Sequence, residues 1–133
     1  MKLKLNEFVH DGLPVSWHPY YIFDMMVHKK QVGTLTFRTG SNQDNYYAGH
    51  IGYSVEKQYQ GNGYAYQALL CLEPWILEHG FHEVIITCDP NNIASKKTIE
   101  KVATFLETKE IPKQYRKDFS KEEKIKDIYL WKL

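Results

Sequence analysis

Residues 58–80, QYQGNGYAYQALLCLEPWILEHG, set two glycines one residue apart in front of an apolar-periodic run. Ala65, Leu69, Leu72 and Ile76 share one helical stripe, with Ala68 and Trp75 beside it, which predicts a helix over about 62–79. Pro74 should kink it or loosen one backbone bond, and Gly80 is a natural C-terminal stop. The first amides of such a helix lack intrahelical partners and lie at the positive end of its dipole. Glycines before it let the backbone turn and let an anion come close. The local physics favours a phosphate without saying which, and a tight turn that holds no ligand is the competing reading.

The flanking segments say what this loop is attached to. Residues 2–9, 20–27, 32–38 and 46–55 read as strands, and the second and third form a hairpin around a short polar turn. Gly49 and Gly52 suggest a bulge or a close backbone approach. EVIITC at 83–88 reads as a buried strand, 93–103 as a second helix, and 128–133 as a last strand. Residues 109–126 are polar and mixed in charge, a surface segment that has the option of closing over a bound molecule. The strand-helix-strand unit at 46–88 implies a parallel pair with a crossover helix. The expected class is therefore α+β, or mixed α/β, built as one domain over 1–133 around one sheet.

A net charge of +1 argues against a nucleic-acid binder. The N-terminal run MKLKLNEFVHDG has no apolar core of a signal peptide, and no apolar run approaches membrane-spanning length. Cys71 and Cys88 suggest no disulfide framework. These features predict a soluble, cytoplasmic protein without nucleic-acid or membrane partners. His79 and His82 straddle Gly80 and lack further ligands, so no metal site is expected.

Three nucleotide-binding patterns can be compared with the loop. A P-loop needs Lys and Ser/Thr after its second glycine, where Tyr64 and Ala65 stand; a dinucleotide fingerprint fails at Tyr66. The pattern Gln/Arg-x-x-Gly-x-Gly/Ala is met by Gln60, Gly63 and Ala65, and it resembles the acetyl-CoA pyrophosphate loop of the GNAT N-acetyltransferase family. HIGYSVEKQYQGNGYAYQAL resembles that family's strand-loop-helix core, and ITCDPNNIASKKTIEKV its next strand and helix. Ile51-Gly52-Tyr53 and the run from Asp89 to Ser95 resemble the ribosomal-protein N-terminal acetyltransferase branch. The close resemblance covers residues 46–103. The family's long helical insertion between its first two strands is missing, which implies an acceptor site that is open or completed by another subunit, a possible homodimer.

The resemblance implies a central mixed sheet with a splayed parallel pair, the pantetheine arm of acetyl-CoA lying in the splay. Tyr53, Ser54 and Val55 would face that arm, and Gln60, Gly61, Asn62, Gly63, Tyr64 and Ala65 would hold the pyrophosphate. Asn92 resembles the asparagine that bonds the pantetheine. Lys96 and Lys97 are either adenosine-phosphate ligands or a solvated helix face. His50 stands where the branch often has a glutamate for proton transfer, so it is a candidate base, against the reading of a structural strand histidine; Glu56 is a second candidate. Ser95 matches a hydroxyl placed to protonate the leaving thiolate, or is only a helix cap. The expectation is acetyl transfer from acetyl-CoA to a primary amine on a small molecule or peptide. A non-catalytic CoA-binding module on the same fold is the alternative.

Overall fold

The computed structural model describes residues 1–14 and 17–133. Among these residues seven strands and two α-helices follow one another as β1 (Lys2–Val9), β2 (Tyr20–Val27), β3 (Lys30–Arg38), β4 (Ile51–Val55), α1 (Tyr64–Glu78), β5 (Glu83–Cys88), α2 (Ile93–Ile99), β6 (Thr104–Glu110) and β7 (Ile125–Lys132). The β2–β3 hairpin turns on His28 and Lys29, both at positive φ, the two-residue geometry that matches strand twist. Helix α1 runs through Pro74 and stops before Gly80, which takes φ +83. Its buried stripe is Ala68, Leu69, Leu72 and Ile76, as the spacing requires. These pack with Phe23, Met25, Leu35 and Phe37 of β2 and β3, Val84 and Ile86 of β5, and Tyr129 and Trp131 of β7. Each such side chain contributes about 1.5–3 kcal/mol by leaving water.

The α+β class is as expected, but the sheet is divided. One sheet has the order β1-β2-β3-β4 and the other β5-β7-β6, and every ladder in both is antiparallel. The strands expected to be a parallel pair, β4 and β5, share no ladder. Several boundaries also differ, and β7 begins at Ile125, inside the stretch expected to be surface. Residues 46–50 are not strand, because Gly49 sits at φ +79 and the Asn45 amide donates to the Thr39 and Ser41 carbonyls, folding 41–49 into a turn. The second helix ends at Ile99, whose carbonyl takes the Val102 and Ala103 amides. Residues 104–110 then form β6, an edge strand that buries almost nothing and so carries no hydrophobic alternation.

His50 joins the two sheets. Its backbone N–H donates to the Ile85 carbonyl at 2.8 Å while its own carbonyl accepts from Arg38 N–H at 2.6 Å. A regular strand residue points both groups to the same neighbour, so the chain is kinked here. The ring completes the junction. Ile85 N–H donates to Nδ1 at 3.0 Å, Nε2 lies 3.0 Å from the Gly40 carbonyl, and Phe81 meets the ring edge-on at 5.2 Å. An N–H donor at Nδ1 and a carbonyl at Nε2 fix the neutral tautomer with its proton on Nε2. The side chain is fully buried.

This geometry predicts the consequences of removing the ring. His50→Ala orphans a buried amide and a half-buried carbonyl and leaves a void, so it should cost about 3 kcal/mol in urea unfolding; His50→Gln, which restores a donor and an acceptor, should cost less. Burial holds the imidazole below its ordinary value of 6.5. The unfolded chain then binds a proton that the folded chain refuses, so this contribution to stability is complete above about pH 6.5 and declines as pH falls from there toward the folded pKa. Melting temperatures between about pH 7.5 and 5 should fall more steeply for wild type than for His50→Gln.

Candidate active site

Beyond His50 the two sheets part. Arg38 and Glu56 amides mark the even-numbered residues of β4 as those bonded to β3, through His50 and Val32. Strand alternation turns the main chain of Ile51, Tyr53 and Val55 toward the gap beside β5. Ser54, by contrast, has its main chain in the β3 ladder, opposite Thr34, so only its exposed side chain is free. A cavity of about 450 Å³ opens at this parting. Gly52 and Tyr53 of β4 line one side, and Thr87, Cys88, Asp89, Asn92 and Ser95 the other. Gly49 makes the close approach its sequence suggested: a Cβ there would stand 3.1 Å from Thr87 N at a backbone angle that disfavours side chains.

Tyr53 and Ser95 meet across the gap, hydroxyl to hydroxyl at 2.9 Å. Either is able to donate. Burial pushes the Tyr53 phenol above its ordinary value, so both groups hold their protons near neutrality. Asn92 caps α2 by accepting from Ser95 N–H at 3.1 Å, which fixes where the serine sits. Cys88 also lines the cavity, but burial and the nearby Asp127 carboxylate push its thiol up to about 11, so it is a neutral wall and a poor nucleophile.

The glycine loop lies outside this cavity, at the start of α1. Gly63 is the N-cap residue at φ +75, no side chain caps the helix, and no acid lies in its first turn. The first helical bond is Gln67 N–H to the Gly63 carbonyl, which leaves the amides of Tyr64, Ala65 and Tyr66 without intrahelical partners. Gly61 takes φ +85, and a Cβ on Gly61 or Gly63 would meet nothing within 4 Å, so the face is open to an approaching group. Gln60 and Asn62 are internal braces: the Gln60 amide donates to the Val55 carbonyl at 3.0 Å and the Asn62 amide to the Tyr59 carbonyl at 2.9 Å.

Other candidates are placed differently from expectation. His50 is fully buried and both its ring nitrogens are spent on backbone groups, so it has no lone pair to offer a substrate. Glu56 is exposed at the end of β4 and does not line the cavity. Lys96 pairs with the buried Asp127 carboxylate at 3.0 Å, which raises its pKa, and Thr108 fills the other oxygen of Asp127. Lys97 remains exposed. Cavity-lining groups that no motif marked are Arg38, the pair His18–Asp44 at 2.8 Å, and the wall of Tyr115, Asp118, Phe119, Glu123 and Lys126. Only the last had a sequence signal, the mixed-charge run at 109–126.

A family model described as an acetyltransferase (GNAT) domain matches residues 9–103. No curated protein sequence matches the chain. Among solved structures, the Salmonella typhimurium acetyl transferase that modifies the N-terminal serine of ribosomal protein L7/L12 is 18% identical, with TM-score 0.67 over 86% of this chain and 64% of its own. The ribosomal-protein-S5-alanine acetyltransferase of Vibrio fischeri is 19% identical, with TM-score 0.65 over 85% and 61%. The microcin C7 self-immunity acetyltransferase MccE, in complex with acetyl-CoA and AMP, is 18% identical, with TM-score 0.67 over 86% and 61%. At these identities the likeness is one of fold, and the chain spans only about three-fifths of the length of the structures it matches. With the model match covering well over half of the sequence, the chain belongs to the GNAT acetyltransferase family.

Proposed function

We propose that the protein transfers an acetyl group from acetyl-CoA to a primary amine, in the cytoplasm. The observation that carries this reading is the parted β4–β5 edge, which presents main-chain groups beside a hydroxyl pair. An extended pantetheine arm has amides that need such partners. The open, uncapped start of α1 suits the pyrophosphate, through the amides from Gly61 to Ala65. Lys97, and Lys96 beside its Asp127 partner, lie on α2 as candidates for the remaining phosphate.

Acetyl-CoA would supply an activated acyl carbon. The chain's residues then have two tasks: to take a proton from the amine and to give one to the departing sulfur. Ser95, with Tyr53 donating to its oxygen, hands its own proton to the thiolate as the C–S bond breaks and the C–N bond forms. His50 is not available for the other task. His18 takes its place in this reading, directly or through water. Its Nε2 donates to the Asp44 carboxylate, which leaves Nδ1 unprotonated in the neutral ring. That hydrogen bond also holds Asp44 below the usual carboxylate range.

Calorimetric titration should show micromolar binding of acetyl-CoA and of desulfo-CoA, and none of ATP; no binding to a folded sample would leave the glycine loop as a turn only. In turnover assays following free thiol, Ser95→Ala and His18→Gln should each lower kcat by about ten- to a hundredfold with acetyl-CoA affinity nearly unchanged. Unchanged kcat would remove the residue concerned from the mechanism.

A further inference from the structure

The walls of the cavity bear on which amine it accepts, an inference that rests on the acyl-transfer reading above. Four carboxylates line it, those of Asp44, Asp89, Asp118 and Glu123, against two permanent cations, Arg38 and Lys126. The whole chain carries +1, so the negative excess is local. Among the described residues Lys126 is ion-paired and Arg38 is not, so one positive charge stands against the unpaired carboxylates. Arg38 Nη1 donates to the Gly49 carbonyl at 3.2 Å, and its guanidinium lies 3.5 Å from where a Cβ on Gly52 would be. Lys126 is held by Glu123 at 2.7 Å. Asp44 is engaged with His18. Asp89 accepts the Asn91 amide at 2.8 Å, and neither Asp89 nor Asp118 is in an ion pair among the described residues.

The same cavity is rich in aromatic rings: Trp17, Tyr20, Tyr47, Tyr115 and Phe119. Tyr47 and Tyr115 stand 5.7 Å apart. The chain already shows what these walls hold. The Lys126 ammonium lies 5.3 Å from the centre of the Phe119 ring while Glu123 binds it, an alkylammonium seated between an aromatic face and a carboxylate. Asp118 is next to Phe119 in sequence, and Tyr115 is three residues before it.

We propose that the acceptor is an alkyl diamine or polyamine, whose second ammonium is held by Asp118 and Asp89 against the aromatic wall. The first amine, deprotonated, faces the Tyr53–Ser95 pair. A monoamine loses the distal ion contacts, and an acceptor ending in a carboxylate is repelled. A peptide with an uncharged body gains nothing from these walls.

The test compares 1,5-diaminopentane, pentylamine, 5-aminopentanoate and a short neutral peptide with a free N-terminus as acceptors, by thiol release and product mass. The expected kcat/KM for the diamine is about tenfold above pentylamine, with aminopentanoate lowest and the diamine's advantage shrinking as salt rises. Asp89→Asn/Asp118→Asn keeps an acceptor oxygen for the Asn91 amide and should bring the diamine to within about twofold of pentylamine. Pentylamine or the peptide matching the diamine, or an unchanged ratio in the double variant, overturns the proposal. Should no amine be acetylated, the transfer reading fails by itself. Titration of the CoA-loaded protein then decides the acceptor class: tighter binding of diaminopentane than of pentylamine sustains it, and equal or absent binding overturns it.

Discussion

The arrangement depends on a single junction. Two strands that lie side by side ordinarily satisfy their main chains on each other, but β4 and β5 share no ladder and are joined through His50, just before β4, and Ile85. An imidazole serves there as a substitute peptide group, accepting where a carbonyl would accept and donating where an N–H would donate. The substitution is possible because the ring is neutral, and burial keeps it so. With the junction fixed at one end, the edges beyond it diverge without the sheets coming apart, and main-chain groups of β4 are left without ladder partners on that side. The unfavourable feature of an open edge is confined to the one place where a ligand of matching polarity would lie.

Charge is distributed to match. The chain is close to neutral as a whole, yet Lys57, Lys96, Lys97 and Lys101 are near the start of α1 or on and just after α2, while carboxylates gather in the cavity. Lys101 also rests over the Tyr66 ring at 4.9 Å, tying the end of α2 to the first turn of α1. In the proposed reading a co-substrate bearing phosphates would meet these lysines, and an acceptor bearing ammonium groups the carboxylates of the cavity. Neither side requires a large net charge on the protein.

The sequence made the glycine loop, α1 and the strands on either side legible because each carries its own periodicity or turn chemistry. Ala68, Leu69, Leu72 and Ile76 are spaced for a helix, and they are the residues that α1 buries. Family resemblance pointed to Ser95 and Asn92, and both line the cavity. Physics at the level of single residues did less well wherever a role depends on what lies across a gap. His50 is a reasonable base on its strand, and only the positions of Gly40 and Ile85 show that both nitrogens are committed. Strand β6 was unreadable because an edge strand exposed on both faces has no pattern to read. His18 and Asp44 are 26 residues apart, and no spacing rule brings them together.

One wall of the cavity comes from the segment between β6 and β7. Ile111 is fully buried, and its N–H donates to the Lys124 carbonyl at 2.8 Å, so residues 111–124 form a loop closed at its base. Arg116 pins the loop from inside, through Nε to the Ile111 carbonyl at 3.0 Å and through an ion pair with Glu110. Tyr115, Asp118, Phe119 and Glu123 project from this loop into the cavity. Its two ends are anchored in β6 and β7, while the hydroxyl pair and the glycine loop belong to the β4–α1 and β5–α2 units. In the proposed reading most of the acceptor's wall comes from this loop, with Asp89 added from the β5–α2 turn, so the loop's side chains are free to differ without disturbing Tyr53, Ser95 or the start of α1.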